Sequence, residues 1–370
     1  MKKIIILGFV LFCFINCGLK AEAIDVSARS AVLIEADSGR IIFQKNASER
    51  LAVASTTKIM TALITLEQAN LDTGFIVDSN AIMVEGTSMG LKKGDSVTLR
   101  TLASGMLLAS GNDAANASAV RIASTIPEFA ILMNKRAQQI GMKDSNFVTP
   151  SGLDDQNHYS TALDMAKLAR VALNNKNFRD ICSQKTMKLS YGNPPYNRWL
   201  SNHNRLLKTY EGCIGVKTGF TKKAGRCLVS SAERDGVRLI AVTLKAPNDW
   251  QDHEKLLDYG FSQVETVTLP DIFNVKISVV GGTSDKVTPI IESIPKSTIS
   301  KEDLSKIKTQ IIANPFLYAP IKEGECIGKV RYLLNGELLK EANLVAESSV
   351  ELDNEVKKLS FFDKIKSFFR

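Results

Sequence analysis

Three short polar motifs stand far apart in one order along the chain: Ser55-Thr56-Thr57-Lys58, Ser110-Gly111-Asn112 and Lys217-Thr218-Gly219. Their local contexts differ. Ser55 precedes Ile59, Leu63 and Leu66, which recur at helical spacing through Gln68. Ser110 falls in a break between two helical stretches, Leu102 to Ala109 and Asp113 to Ser124. Lys217 ends a β-branched run from Cys213 to Thr218. A chain in which the three act together has to bring a helix start, a helix–helix break and a strand edge to one cleft, and the region from about Ile24 to Val264 reads as an antiparallel sheet with helices around it, an α+β pattern.

Taken singly the motifs carry little weight. Ser-x-x-Lys also occurs at Ser293/Lys296 and Ser305/Lys308, where it reads as a cap followed by a solvated lysine. Pro295 keeps the copy at Ser293 from forming a regular helical turn. A chance Lys-Thr-Gly is expected in about one chain of this length in ten. The joint occurrence, in order and in suitable contexts, is specific.

The chemistry of the set is acyl transfer. A serine hydroxyl needs a base within hydrogen-bond reach. A spacing of three on a helix places Lys58 one turn along from Ser55 on the same face. Lysine serves as a base only when its ammonium form is disfavoured, by burial or by a nearby like charge, and Lys217 is the second cation. Gly219 has no side chain, so a substrate backbone can lie along that strand edge. Ser110 alone also reads as a cap for the helix opening at Asp113. His158, His203 and His253 have no metal-binding neighbours at useful spacing and read as surface or loop residues.

The triplet resembles the marks of the penicillin-binding proteins, specifically the low-molecular-mass D-alanyl-D-alanine carboxypeptidases. Further stretches carry the likeness: Gly86-Thr87-Ser88-Met89-Gly90-Leu91, Ser110-Gly111-Asn112-Asp113-Ala114-Ala115, Met133-Asn134, Thr149-Pro150-Ser151-Gly152-Leu153, Asn204-Arg205-Leu206-Leu207 and Ala224-Gly225-Arg226-Cys227. Gly111 stands where class A β-lactamases have Asp. The resemblance implies the serine β-lactamase/DD-peptidase fold, an antiparallel sheet with helices around it. It implies Ser55 as nucleophile, Lys58 as base and Ser110 as proton relay to the leaving amine. Asn112 would bind the substrate amide or hold Lys58, and Lys217 and Thr218 would hold the terminal carboxylate. The N–H of Phe220, just after Gly219, would be the second oxyanion donor. The substrate implied is a peptidoglycan stem peptide, with β-lactams as acylating mimics and with no metal or organic cofactor.

One departure concerns the carboxylate. Some relatives place an arginine on or after the strand ending near Leu244, where this chain reads Lys245-Ala246-Pro247-Asn248-Asp249-Trp250. Lys245 is a point charge, not a bidentate fork. Three rival functions stand beside the carboxypeptidase. A DD-endopeptidase on cross-links shares all three motifs. A β-lactamase needs a deacylation base, usually Glu, and Phe147 to Lys185 contains none. A non-catalytic peptidoglycan-binding protein would use the cleft as a receptor.

At 370 residues, 44% hydrophobic and 23% charged, the chain is globular and long enough for more than one domain. Met1-Lys2-Lys3, the apolar run from Ile4 to Ile15 and the small-residue site Ala21-Glu22-Ala23 read as a secretory signal over residues 1–23. A lipoprotein signal with Cys17 as the lipidated residue is the rival, and Asn16 is large for such a site. Export leaves Cys182, Cys213, Cys227 and Cys326, without metal-ligand spacing. Cys213 and Cys227 either face each other across a hairpin or pack as buried thiols.

The catalytic domain is expected over 24–265. Strands run from Ser30 to Glu35 and Arg40 to Gln44, and later from Arg226 to Ala232 and Val237 to Lys245 around an Asp235-Gly236 turn. Pro127 starts a helix that Gly141 ends, Thr161 caps another, and Asp252 to Tyr259 is helical up to Gly260. A small all-β domain is expected over 270–349, with a hairpin at Asn335-Gly336. The terminal stretch, 355–370, reads as a basic amphipathic helix with Phe361, Phe362, Phe368 and Phe369 on its apolar side. It suits an anionic membrane surface and is too short and too charged to span a bilayer. Packing against the β domain is its alternative. The net charge of +8 comes without a Lys/Arg stripe interleaved with aromatics, so nucleic acid is not an expected partner. The place of work implied is the outer face of the cytoplasmic membrane.

Overall fold

The computed structural model describes residues 24–300 and 302–353. The expected signal segment and the amphipathic C-terminal segment lie outside the described residues.

Strands β1 (Ser30–Glu35) and β2 (Ile41–Lys45) open the chain and later become part of a five-stranded antiparallel sheet. A 3-10 turn over Ala54–Thr57 leads into α1 (Lys58–Leu66), in which every residue is buried. A short pair, β3 (Phe75–Ile76) and β4 (Ser96–Val97), brackets the irregular stretch between. Helices α2 (Leu99–Leu108), α3 (Asn112–Ala123), α4 (Ile126–Ile140), α5 (Ala162–Asn174) and α6 (Lys176–Cys182) follow. The side chains of Thr98, Thr125, Thr161 and Asn175 each accept a backbone N–H of the first turn they precede, and Gly141 closes α4 in the left-handed conformation. The hairpin β5 (Thr186–Gly192) and β6 (Pro195–Ser201) and the one-turn α7 (Leu206–Thr209) lead to β7 (Cys213–Thr221), β8 (Gly225–Arg234) and β9 (Val237–Leu244).

The sheet order is β2-β1-β9-β8-β7, which leaves β7 as a free edge. The alternation of the strands explains the layering. Val32, Ile34, Val229, Ile240 and Val242 join the core beneath α1 to α6, while Leu33, Leu228, Leu239 and Ala241 join the core beneath α8 (Asp249–Gln263). Both faces are covered, so β1 and β9 read as near-continuous apolar runs. Helix α8 passes straight through Gly260, where the sequence suggested a stop. A Cβ there would come within 2.6 Å of Leu239 and 2.8 Å of Leu33, so the glycine serves close helix–sheet packing. Cys227 lies opposite Gly219 and Cys213 opposite Ala232, and all four described cysteines are free thiols.

The C-terminal region begins earlier than the Pro270 boundary read from the sequence. Strand β10 (Val264–Thr268) leaves α8 directly and pairs with β14 (Lys296–Ser300). Strands β11 (Ile277–Val280), β12 (Lys286–Val287) and β16 (Phe316–Tyr318) form a three-stranded sheet. Strands β13 (Pro289–Ile291), β15 (Ile307–Ala313), β17 (Cys326–Leu334) and β18 (Glu337–Ala346) form a four-stranded one in the order β13-β18-β17-β15. Asn335 and Gly336 make the β17–β18 turn at positive φ, as Asp235 and Gly236 do for β8–β9. An Arg40–Asp303 ion pair of 2.8 Å ties the β1–β2 turn to this region.

Candidate active site

The three motifs meet at one cleft of about 410 Å³ lined by Ser55, Ser110, Asn112, Thr218, Gly219 and Phe220, among others. Lys58 and Lys217 lie buried at its base. Ser55 sits on the 3-10 turn that precedes α1, not in α1 itself. Gly219 on β7 abuts that turn so closely that a Cβ would stand 3.1 Å from the Ser55 nitrogen and 3.0 Å from that of Thr56. Glycine is therefore needed for the strand edge and the nucleophile turn to meet.

Lys58 Nζ makes three short contacts: 2.8 Å to Ser55 Oγ, 2.7 Å to Asn112 Oδ1 and 2.7 Å to the Ser151 carbonyl. The Asn112 amide is oriented by its own donation from Nδ2 to the Glu85 carbonyl at 2.6 Å, so Oδ1 faces the amine. Asn112 Oδ1 and the Ser151 carbonyl can only accept. A neutral amine has two N–H bonds, which these acceptors occupy, and one lone pair, which then faces the Ser55 hydroxyl. Burial first, and the Lys217 cation second, push the Lys58 ammonium well below its ordinary range, with Asp113 opposing. Burial alone lowers Lys217 to about 7. Its ammonium donates to the Thr218 carbonyl at 2.8 Å.

Ser110 occupies the break between α2 and α3 with a positive φ of 58°. It does not cap α3, whose first position is Asn112 and whose preceding residue is Gly111. Its carbonyl instead accepts the Thr87 hydroxyl at 2.6 Å, which brings the 86–91 loop to the cleft wall. Asp113 fastens the same loop, accepting from the Ser88 hydroxyl and from the backbone N–H groups of Met89, Gly90 and Leu91. That carboxylate also lies in the first turn of α3, where the helix dipole favours it.

His158 and His253 depart from the surface reading, and His203 keeps it. His158 is buried, its Nδ1 accepts from Val148 and Thr149 N–H, and Nε2 therefore carries the proton toward Thr57 Oγ1 at 2.8 Å. It clamps the nucleophile turn to the loop that supplies the Ser151 carbonyl. His253 is fully buried between Ser230 and Thr243. Burial lowers His158 to about 4 and His253 to about 3, so both are neutral spacers. His203 is exposed on the cleft wall and is lowered by partial desolvation and by Lys217. Leu153, His203, Arg226, Asp249 and Trp250 complete the walls. Of these, Leu153 and Arg226 lie in motif stretches that could have singled them out. Lys245 is exposed and is not part of the cleft wall.

A buried lysine amine against the serine hydroxyl, where an imidazole would stand in a Ser-His pair, and a free strand edge beside it form the arrangement of the serine acyl-transfer enzymes that use Ser-x-x-Lys. Comparison with known proteins makes the class specific. Residues 18–248 match the D-alanyl-D-alanine carboxypeptidase family model, and residues 261–352 match that of the penicillin-binding protein 5 C-terminal domain. The chain is 35% identical to the D-alanyl-D-alanine carboxypeptidase DacF of Bacillus subtilis, over 94% of this chain and 91% of that one. It is 33% identical to DacC of Escherichia coli, over 89% and 86%. The crystal structure of penicillin-binding protein 5 from Haemophilus influenzae superposes with a TM-score of 0.67 at 32% identity, covering 88% of this chain and 98% of that one. The chain belongs to the D-alanyl-D-alanine carboxypeptidase family and is a serine-type hydrolase with the DD-peptidase fold.

Proposed function

We propose that Ser55 attacks the carbonyl of the penultimate D-alanine of a peptidoglycan stem peptide and that Lys58 takes its proton. The observation that carries this assignment is the 2.8 Å contact between Lys58 Nζ and Ser55 Oγ, with the other two amine contacts already assigned to fixed acceptors. The substrate backbone adds along the free edge of β7, and its carbonyl oxygen receives the N–H groups of Ser55 and Phe220. As the tetrahedral adduct collapses, Ser110 passes a proton to the departing D-alanine amine, and water then hydrolyses the acyl-enzyme. Thr218 and Lys217 border the terminal carboxylate. Penicillins acylate the same serine.

The adjacent carboxylates Asp154 and Asp155 of the 147–185 stretch do not line the cleft beside Ser55. Asp154 accepts the Thr221 hydroxyl at 2.9 Å, and Asp155 accepts the Asn157 N–H at 2.7 Å. This favours a peptidase that stays acylated by β-lactams over a β-lactamase. The signal-like residues 1–23 and the basic, Phe-rich residues 355–370 support work at the outer face of the cytoplasmic membrane, with the tail on anionic lipid.

The test is D-alanine release from a diacyl-L-Lys-D-Ala-D-Ala tripeptide beside cleavage of a cross-linked stem-peptide dimer. Release of free D-alanine by the wild type and not by Ser55→Ala is expected. Cleavage of the dimer with no D-alanine release would move the reading to an endopeptidase.

A further inference from the structure

The cleft that receives a free α-carboxylate needs a cation, and the two lysines at its base are poorly suited. Lys58 is buried, uncharged in its working state and fully engaged. Lys217 is buried, lowered to about 7, and donates to the Thr218 carbonyl. Lys245, the substitute suggested by sequence position, lies outside the cleft wall. Among the described residues lining the cleft, Arg226 is the one that carries a guanidinium or ammonium group.

We propose that Arg226 receives the free C-terminal carboxylate of the scissile D-alanine, and that this chain thereby places its carboxylate fork on β8 and not after β9. The proposal deepens the carboxypeptidase reading and rests on it for the identity of the substrate. Arg226 is the register partner of Phe220, whose N–H is assigned to the oxyanion, so the guanidinium springs from the strand beside the reacting carbonyl. Its Nε donates to Asp249 Oδ1 at 2.8 Å. Asp249 is itself only 3% exposed and also accepts the Trp250 N–H, so the arginine is held by a fixed partner. The Trp250 ring lies 5.6 Å from the guanidinium carbon and flanks it. With Nε occupied, the two Nη groups have no hydrogen-bond partner among the described residues, and they form the end-on fork that a carboxylate accepts in a bidentate way. Thr218 adds a hydroxyl on the same wall. Arginine keeps its charge at every working pH, so recognition would not depend on the titration of the two lysines.

The experiment compares two substrates that differ only in the carboxylate: the diacyl-L-Lys-D-Ala-D-Ala acid and its C-terminal carboxamide. Wild type, Arg226→Leu and Arg226→Lys are each assayed on both, with thermal melting as the folding control. Arg226→Leu is expected to lose on the order of ten- to a hundredfold in kcat/KM on the acid, the scale of a lost charge-assisted hydrogen-bond pair, and nothing on the carboxamide. Arg226→Lys, which keeps the charge without the fork, falls between. An equal loss on both substrates would show that Arg226 only latches α8 to β8, and no loss on the acid would show that it touches no carboxylate. Either result overturns the proposal. Acylation by benzylpenicillin against its methyl ester repeats the comparison without a peptide. If the wild type released no D-alanine, the substrate reading would fail, and the penicillin pair would still decide the role of Arg226: a wild-type preference for the acid that Arg226→Leu abolishes supports it, and a preserved preference sinks it.

Discussion

In the catalytic region Lys58, Lys217, Asp113, His158 and His253 are all buried, whereas in the C-terminal β region Lys329 and Arg331 meet Glu341 at the surface. The buried polar side chains described in that second region are Ser297 and Thr298, which are uncharged. Strands β17 and β18 follow the economy of an ordinary sheet, with Val330, Tyr332 and Leu344 inward and ion pairs outward. The catalytic region accepts desolvated amines and imidazoles, which cost stability. What it gains is a lysine whose ammonium form is disfavoured and whose amine stands against a hydroxyl. The contrast locates the chemistry before any substrate is considered.

The largest effect should come from Lys58. Lys58→Met replaces a desolvated amine by an apolar chain of similar length, and relief of that desolvation offsets the donors lost by Asn112 Oδ1 and the Ser151 carbonyl, so the fold should hold with a melting temperature near or modestly below the wild type. Its acylation rate with benzylpenicillin should fall by about 10²- to 10⁴-fold, the usual range for a lost general base. A variant that unfolded instead would place Lys58 among structural residues and erase the contrast.

The second effect is on pH dependence. Lys58 must be deprotonated to act, so acylation should be lost as pH falls through the lysine's titration. In Lys217→Gln the like charge is gone, the Lys58 ammonium is favoured, and the acid limb should move to higher pH. A pH–rate profile of single-turnover acylation measures it.

A third effect separates the regions by stability. His158 and His253 have folded values of about 4 and about 3 against an ordinary 6.5. Each is depressed, so the unfolded chain binds the proton first. Their contribution is present above 6.5 and is lost as pH falls toward the folded values, at about 1.4 kcal/mol per unit for each. All three histidines lie before the β region. Hydrogen exchange on the whole chain at pH 6.5 and pH 5 should therefore show β7 to β9 losing protection while β17 and β18 keep theirs.

The smallest effect belongs to the surface. Glu341→Gln removes an exposed partner of Lys329 and Arg331 and should leave melting temperature and acylation rate at wild-type values.

Much of this was legible in the sequence wherever the signal is local. The helix start near Pro127, the cap at Thr161, the stop at Gly141, and the hairpins at Asp235-Gly236 and Asn335-Gly336 are set by a few neighbouring residues, and the elements form there. The Ser55/Lys58 pair follows from helical spacing, although a 3-10 turn delivers the serine. The rest depends on partners distant in the chain. The Ser151 carbonyl acts through its backbone and carries no residue-type signal. His158 reads as a loop residue until the Thr57 turn closes on it. Gly260 resembles a helix stop because its reason, the side chains of Leu33 and Leu239, lies on other elements. Arg226 sat in a quoted stretch without a role, since only the register of β7 and β8 brings it beside Phe220.

On this reading Ser55 is a nucleophile made competent by a buried lysine. The most direct test is the intact mass of wild type, Ser55→Ala and Lys58→Met after brief exposure to benzylpenicillin at neutral pH. One stable penicilloyl adduct is expected on the wild type, none on Ser55→Ala, and none within the same time on Lys58→Met. An adduct on Ser55→Ala, or wild-type acylation rates in Lys58→Met, would contradict that reading.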